Sequence, residues 1–255
     1  MKRGFLQLYQ ILALLALIAI VALTVYLALQ GTQLFIEAGT TEVPKFINVV
    51  NENESGFTVA WITTKNTKGS VILPEEGLTY TSNNDNTRTH VVEVNGLKAG
   101  RRYSFQLLSG TIVDDNQGVY YEAFTAKNKF SIDNKILFGR IFGLENNTPL
   151  SEGYITIHTE TNGLITNKVY SILNEQGGWQ LDYSNLLTQS LTDKFDPSQK
   201  TLLTLAIHSP NIAETVTRSY DLILNETIQI PDIYLGEDIP WELPAVEDDV
   251  MSEGI

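Results

Sequence analysis

The side chains able to do chemistry are few and widely spaced. Three histidines, His90, His158 and His208, each fall at or near a strand-like run. Opposite a carboxylate, such an imidazole can act as a general base or a zinc ligand. None stands two or four residues from another, so a packed or sheet-surface strand histidine is the expectation for all three. Asp114-Asp115-Asn116 and the pair Asp193 and Asp196 carry oxygen ligands of the kind calcium takes. They lack the repeated spacing of a calcium loop, and acidic residues are ordinary in turns. No cysteine is present, which removes thiolate nucleophiles, Cys-bound zinc and disulfides. Gly139 with Gly143, and Gly177 with Gly178, lie inside β-like patterns, where no helix follows to form a phosphate loop. No serine sits in a Gly-x-Ser-x-Gly elbow. Trp179, Tyr183, Tyr120 and Tyr121 form the aromatic set able to stack on sugar. Trp179 reads as core, however, and neighbouring tyrosines on a strand point to opposite faces. The expectation is a chain that is not an enzyme, with no catalytic residue, no cofactor and no bound metal.

The element that would place these residues in space is an apolar run from Phe5 to Leu29 without one charged residue. A helix needs about 20 apolar residues to cross the hydrocarbon core. Lys2 and Arg3 precede the run and the next basic residue is Lys45, so the positive-inside rule puts the C-terminal part outside the cytoplasm. Residues 1–30 therefore read as a membrane anchor, single pass, with the N-terminus inside. Two alternatives share that orientation. A cleaved secretory signal has an apolar core of about 7–15 residues and a small-x-small cleavage site. This run is longer, and its end, Tyr26-Leu-Ala-Leu-Gln30, offers Ala28 without a second small residue at the right spacing. Alternatively, Lys2-Arg3-Gly4-Phe5 resembles a type IV prepilin leader, which implies cleavage between Gly4 and Phe5 and assembly of a filament through the helix. Two departures stand against that resemblance: Tyr9 occupies the position of the family's glutamate, and no amphipathic helix continues past Leu29.

Composition narrows the partners. The chain has 255 residues and a net charge of −13, and the segment 237–255 holds seven acidic residues and no basic one. Nucleic-acid binding draws on lysine and arginine against phosphates, so nucleic acid is excluded as a partner. Acidic domains are equally unsuited to lying flat on anionic lipid.

After a spacer over 31–43, residues 44–125 carry short period-two runs separated by turns. Phe57, Val59 and Trp61 share one face of a strand over Phe57–Thr63, and Tyr103, Phe105 and Leu107 share one face of another. Turns fall at Asn51–Gly56, Thr64–Gly69 and Asp114–Gly118. Residues 126–134 form a short polar linker, and a second β pattern fills 135–236, interrupted by a polar insertion over Leu186–Lys200. The tail, 237–255, is expected to be disordered. The fold class is therefore all-β: two tandem β-sandwiches of immunoglobulin-like type behind one N-terminal transmembrane α-helix. With a polar linker between them, the two units are expected to unfold separately.

Two resemblances refine this. Phe57-Thr-Val-Ala-Trp61, His90 and Leu97-Lys-Ala-Gly-Arg-Arg-Tyr-Ser-Phe105 together resemble a fibronectin type III domain, in the version found at the N-terminus of purple acid phosphatases. The resemblance implies that Trp61 is the core tryptophan and that Tyr103 closes a tyrosine corner, with Phe105 beside it in the core. It does not carry the phosphatase activity, because no Asp-x-His or Gly-Asn-His cluster follows. In the second half, Phe138-Gly-Arg-Ile-Phe142, Thr148-Pro-Leu-Ser-Glu-Gly-Tyr-Ile-Thr-Ile157 and Asn174-Glu-Gln-Gly-Gly-Trp-Gln-Leu181 resemble carboxypeptidase regulatory-like domains, related to transthyretin and to collagen-adhesin B-type repeats. That resemblance implies a spacer or accessory role, with Trp179 in the core. It also raises a Lys–Asn isopeptide bond, for which Lys135, Asn225 and Glu226 are the nearest candidates, while Arg140 takes the family's lysine position.

The function these readings lead to is a membrane-anchored display or stalk protein on the extracytoplasmic side of a bacterial envelope, mediating structural or binding interactions. A pilin-like filament subunit and a non-catalytic accessory subunit of an envelope enzyme or glycan-handling complex are the alternatives. Its partners would be the membrane and other envelope proteins or glycans.

Overall fold

The computed structural model describes residues 42–84, 86–130, 135–144, 147–195, 200–224 and 226–236. The anchor, the cleavage point at Gly4 and Phe5, the spacer up to residue 41 and the acidic tail lie outside the described residues. Every element among the described residues is a strand except one 3-10 turn, and none of their helices is long and apolar enough to cross a membrane.

The first unit holds β1 (Lys45–Asn53), β2 (Gly56–Thr67), β3 (Gly69–Leu73), β4 (Leu78–Thr81), β5 (Thr87–Asn95), β6 (Arg102–Ser109), β7 (Ile112–Asp114) and β8 (Tyr121–Phe124). They form two sheets, β1-β2-β5 and β4-β3-β6, the latter extended by β7 and β8 on β6. Alternation explains the core between them: Phe57, Val59, Trp61, Val92 and Val94 from one sheet meet Val71, Leu73, Tyr103, Phe105 and Leu107 from the other. β4 and β7 are short strands beyond those read from the sequence. β2 also runs on through the segment read as the Thr64–Gly69 turn, with an irregular register between Ile62 and Thr67. The cause is His90, whose Nε2 lies 2.9 Å from Thr63 Oγ1 and 3.2 Å from Thr67 Oγ1 and so draws the strand's end around the ring.

The second unit holds β9 (Ile136–Phe142), β10 (Tyr154–Thr161), β11 (Leu164–Ile165), β12 (Val169–Ile172), β13 (Gly178–Asp182), the 3-10 turn Tyr183–Asn185, β14 (Lys200–His208), β15 (Val216–Ile223), β16 (Ile228–Gln229) and β17 (Ile233–Tyr234). One sheet runs β11-β10-β14-β15 with β12 also on β10, and the other runs β13-β9-β16 with β17 on β9. The run Thr227–Leu235 forms two short strands, β16 and β17, because Pro231 between them has no N–H for the ladder. Ile155, Ile157, Leu203, Leu205 and Ile207 face a core shared with Leu137, Ile141, Trp179 and Leu181. The Leu186–Lys200 insertion is less polar in practice than in sequence. Leu186 joins that core, while Leu187 and Leu191 close over Ala126 of the linker, with Phe130 packed alongside.

The two cores are distinct, yet the units do not sit apart. β2 is buried on both faces: Thr58, Ala60 and Ile62, on the side away from the first core, are buried as Val59 and Trp61 are. The covering residue is Tyr154, which clusters with Ala60 and Ile62 and is flanked by Phe46 and Val91. Sheet β1-β2-β5 therefore packs its outer face against the outer face of the β10–β14 sheet, where Tyr154 and His208 are cross-strand partners.

Candidate functional site

The densest group of reactive side chains lies at this seam. β1 reaches it by a distortion. Phe46 has φ 52, a left-handed conformation rare for a bulky residue, within the register shift between Lys45 and Asn48. The resulting bulge aims the Phe46 carbonyl at the Tyr154 hydroxyl, which donates to it, and Ala60 O lies 3.2 Å from the same hydroxyl. Holding Phe46 there costs about 1–3 kcal/mol, which the contacts across the seam must offset.

Asn48 is the hub. Lys168 Nζ donates to its Oδ1 at 2.8 Å, which fixes the amide's orientation. The amide nitrogen then faces Phe46 O and Tyr154 Oη, each at 3.0 Å, and His208 Nε2 at 3.4 Å. With a donor on that side, His208 carries its proton on Nδ1, 3.1 Å from Thr215 Oγ1. Burial, and then the Lys168 charge, push the His208 pKa down to about 4. Burial likewise lowers Lys168 and raises the Tyr154 phenol well above its ordinary range, so the phenol stays a donor. Further along the edge, Asn51 at φ 51 donates its backbone N–H to Lys168 O at 2.8 Å.

Tyr, His, Lys and Asn in mutual contact could in principle relay protons. Here Tyr154 is 0% exposed, His208 5% and Asn48 8%, so no substrate reaches them, and their geometry serves to hold one sheet on another. No local pattern announces this group, because its bonds across the seam join residues as far as 108 and 160 positions apart.

The other sequence-derived candidates fall as follows. His90 is fully buried and stacked on Trp61, with ring centroids 5.0 Å apart. Thr63 gives its hydroxyl hydrogen to Lys65 O, so His90 Nε2–H donates to Thr63 and Nδ1 is left bare against Gly69. Desolvation pushes this imidazole down to about 4 as well. Trp61 donates to Ser109 Oγ at 2.9 Å. Lys98 N donates to the Tyr103 hydroxyl at 2.8 Å, tying Tyr103 back to the preceding loop. Phe105 is fully buried, and Trp179 is 4% exposed over Gly139. His158 is half-buried, its pKa lowered by burial first and by Lys168 second.

Asp114 and Asp115 act as turn residues: Asp114 accepts from Asn116 N and the Tyr121 hydroxyl, and Asp115 accepts from Gly118 N. Among the described residues no group of three or more His, Asp or Glu could hold a metal ion. The four aromatics able to stack on sugar are not brought together as a platform. Trp179 and Tyr183 are in the second core, whereas Tyr120 and Tyr121 belong to the first unit. Asp196 and Asn225 lie outside the described residues, and Lys135 bonds through its carbonyl to Tyr183 N.

No protein-family model matches the chain, and no curated protein matches it. Among solved structures it is similar to the Bacillus anthracis TIE protein, at 9% identity and a TM-score of 0.25 over 74% of this chain. It is also similar to pullulanase from Anoxybacillus sp. LM18-11, at 7% identity and a TM-score of 0.19 over 68% of this chain. The chain spans 40% of the first and 25% of the second. Likeness this distant carries no argument about function.

Proposed function

We propose that this chain is a single-pass, N-terminally anchored envelope protein that presents two β-sandwich units outside the cytoplasmic membrane as one interlocked block, in a structural or binding role. The observation that carries the reading is the seam. Its histidine, lysine, tyrosine and asparagine are all used to fasten one unit to the other, as a presented head requires and a string of loose modules does not. The charge-free run from Phe5 to Leu29 behind Lys2 and Arg3 supports the anchor.

We read the first unit as fibronectin type III-like. Its division into β1-β2-β5 and β4-β3-β6 sheets and the Lys98–Tyr103 bond support that reading. We read the second as carboxypeptidase regulatory-like, supported by the Asn174–Gly178 turn that leads Trp179 into the core.

Protease added to spheroplasts carrying the full chain should remove a C-terminal tag. A protected tag with an accessible N-terminus would overturn the topology. Mass spectrometry of the mature N-terminus should find Met1 or Lys2. A chain starting at N-methylated Phe5 would instead make it a filament subunit.

A further inference from the structure

Beside the seam opens a groove of about 560 Å³, within the size range of small-molecule sites. The outward row of β5, including Thr89 and Glu93, forms one side with Asn84 of the loop after β4. Glu152 and Tyr170 come from the second unit, so the groove exists only where the two units meet.

Three features define what fits it. The first is charge. The lining contains Glu93 and Glu152 and no lysine or arginine, in a chain of net charge −13, which disfavours an anion. Glu152 is already engaged by Arg88 through Nε at 3.1 Å and through Nη2, and Nη2 also lies 3.2 Å from Asn211 Oδ1. Nor do these carboxylates belong to any group of metal-binding size among the described residues.

The second is hydrogen bonding. Amides and hydroxyls dominate the lining, so donors and acceptors alternate without net charge. The Thr89 hydroxyl is enclosed and has no hydrogen-bond partner among the described residues. That enclosure puts it beneath the groove floor, so the groups a ligand meets are the exposed ones, Asn84, Glu93 and Asn95 among them.

The third is the aromatic side chain. Tyr170 lines the groove close to Glu93: burial first, and then the Glu93 charge, raise its phenol pKa. An apolar ring edged by a carboxylate and amides matches a sugar, whose C–H face and vicinal hydroxyls lie side by side. A peptide strand would need free backbone edges, and this lining is made of side chains from a sheet face.

We propose that this groove binds a neutral oligosaccharide, with Glu93 and Asn84 holding its hydroxyls and Tyr170 packing on the ring. The inference does not depend on the membrane anchor, so failure of either leaves the other standing.

The test is titration calorimetry on the purified full-length chain in a detergent without a sugar headgroup. Maltotetraose, cellotetraose and chitotetraose are the probes, and a neutral octapeptide rich in serine and asparagine is the comparator. At least one sugar should bind. Glu93→Gln and Asn84→Ala, both at exposed positions, should each weaken that binding roughly tenfold while leaving the melting temperature unchanged. Absence of heat from all three sugars at millimolar concentration would overturn the proposal. So would sugar binding indifferent to both substitutions, or binding of the peptide in place of the sugars.

Discussion

Removing a single oxygen at the seam should be felt in both units. In Tyr154→Phe the ring still fills the space over Ala60 and Ile62, but Phe46 O keeps only Asn48 Nδ2 as a donor and Asn48 Nδ2 loses one acceptor. Two buried hydrogen bonds are lost, at about 0.5–1.5 kcal/mol each, so about 1–3 kcal/mol together. For a domain pair of this size that lowers a shared melting temperature by about 2–12 °C. The probes are built in. Trp61 reports the first core and Trp179 the second, and 5-fluorotryptophan labelling separates them by ¹⁹F NMR once the signal of the third tryptophan, Trp241, is assigned with Trp241→Phe. In the wild-type chain the two native signals should disappear together on heating, and Tyr154→Phe should move both. Asn48→Ala, a change made in the first unit, should move the Trp179 signal too. If Trp61 and Trp179 melt separately in the wild type, with Tyr154→Phe shifting only the latter, the seam transmits nothing and the block is two independent modules after all.

Acid should weaken the fold through two imidazoles. Burial holds His90 and His208 at about 4 against an ordinary 6.5, so as pH falls the unfolded chain takes up these protons first. Stability is then complete above about pH 6.5 and is lost as the pH drops through 4, each histidine contributing on the order of 3 kcal/mol. Urea titrations between pH 7 and 4 should show this slope, and His208→Gln should flatten part of it. Gly69→Ala tests the first core: its Cβ would lie 2.6 Å from His90 Nδ1 and 2.7 Å from Trp61 Cζ2, two rigid rings. A loss of about 1–3 kcal/mol and a changed near-ultraviolet circular dichroism spectrum are expected; an unchanged denaturation midpoint would show that the stack yields easily.

What the sequence made legible follows the reach of its signals. Alternation placed Phe57, Val59 and Trp61 together on one face, and a fixed local spacing brought Tyr103 back to Lys98. The other face of β2 was there to be read as well. Ala60 and Ile62 make Val59–Ile62 apolar on both sides, the pattern of a strand covered twice. What covers it could not be read, since Tyr154 and His208 sit in ordinary strand patterns and become partners of Asn48 only through topology. Phe46 carries no glycine or asparagine to signal a left-handed turn. The linker misled for a similar reason: its polarity averages over Ala126, which is wholly buried beneath Leu187 and Leu191.

The bond from Tyr154 to Phe46 spans 108 residues, and that distance is also a delay. A ribosome adding about 5–20 residues per second completes Phe46 roughly 5–20 s before Tyr154. The first unit can close its own core only after β8 is made, late in that interval, and even then Ala60 and Ile62 stand uncovered and the backbone bulge at Phe46 has nothing to hold it. The newborn chain thus passes through a stage with a sticky face that the finished protein does not have. Whatever meets the chain at that stage encounters that face until the second unit arrives to cover it.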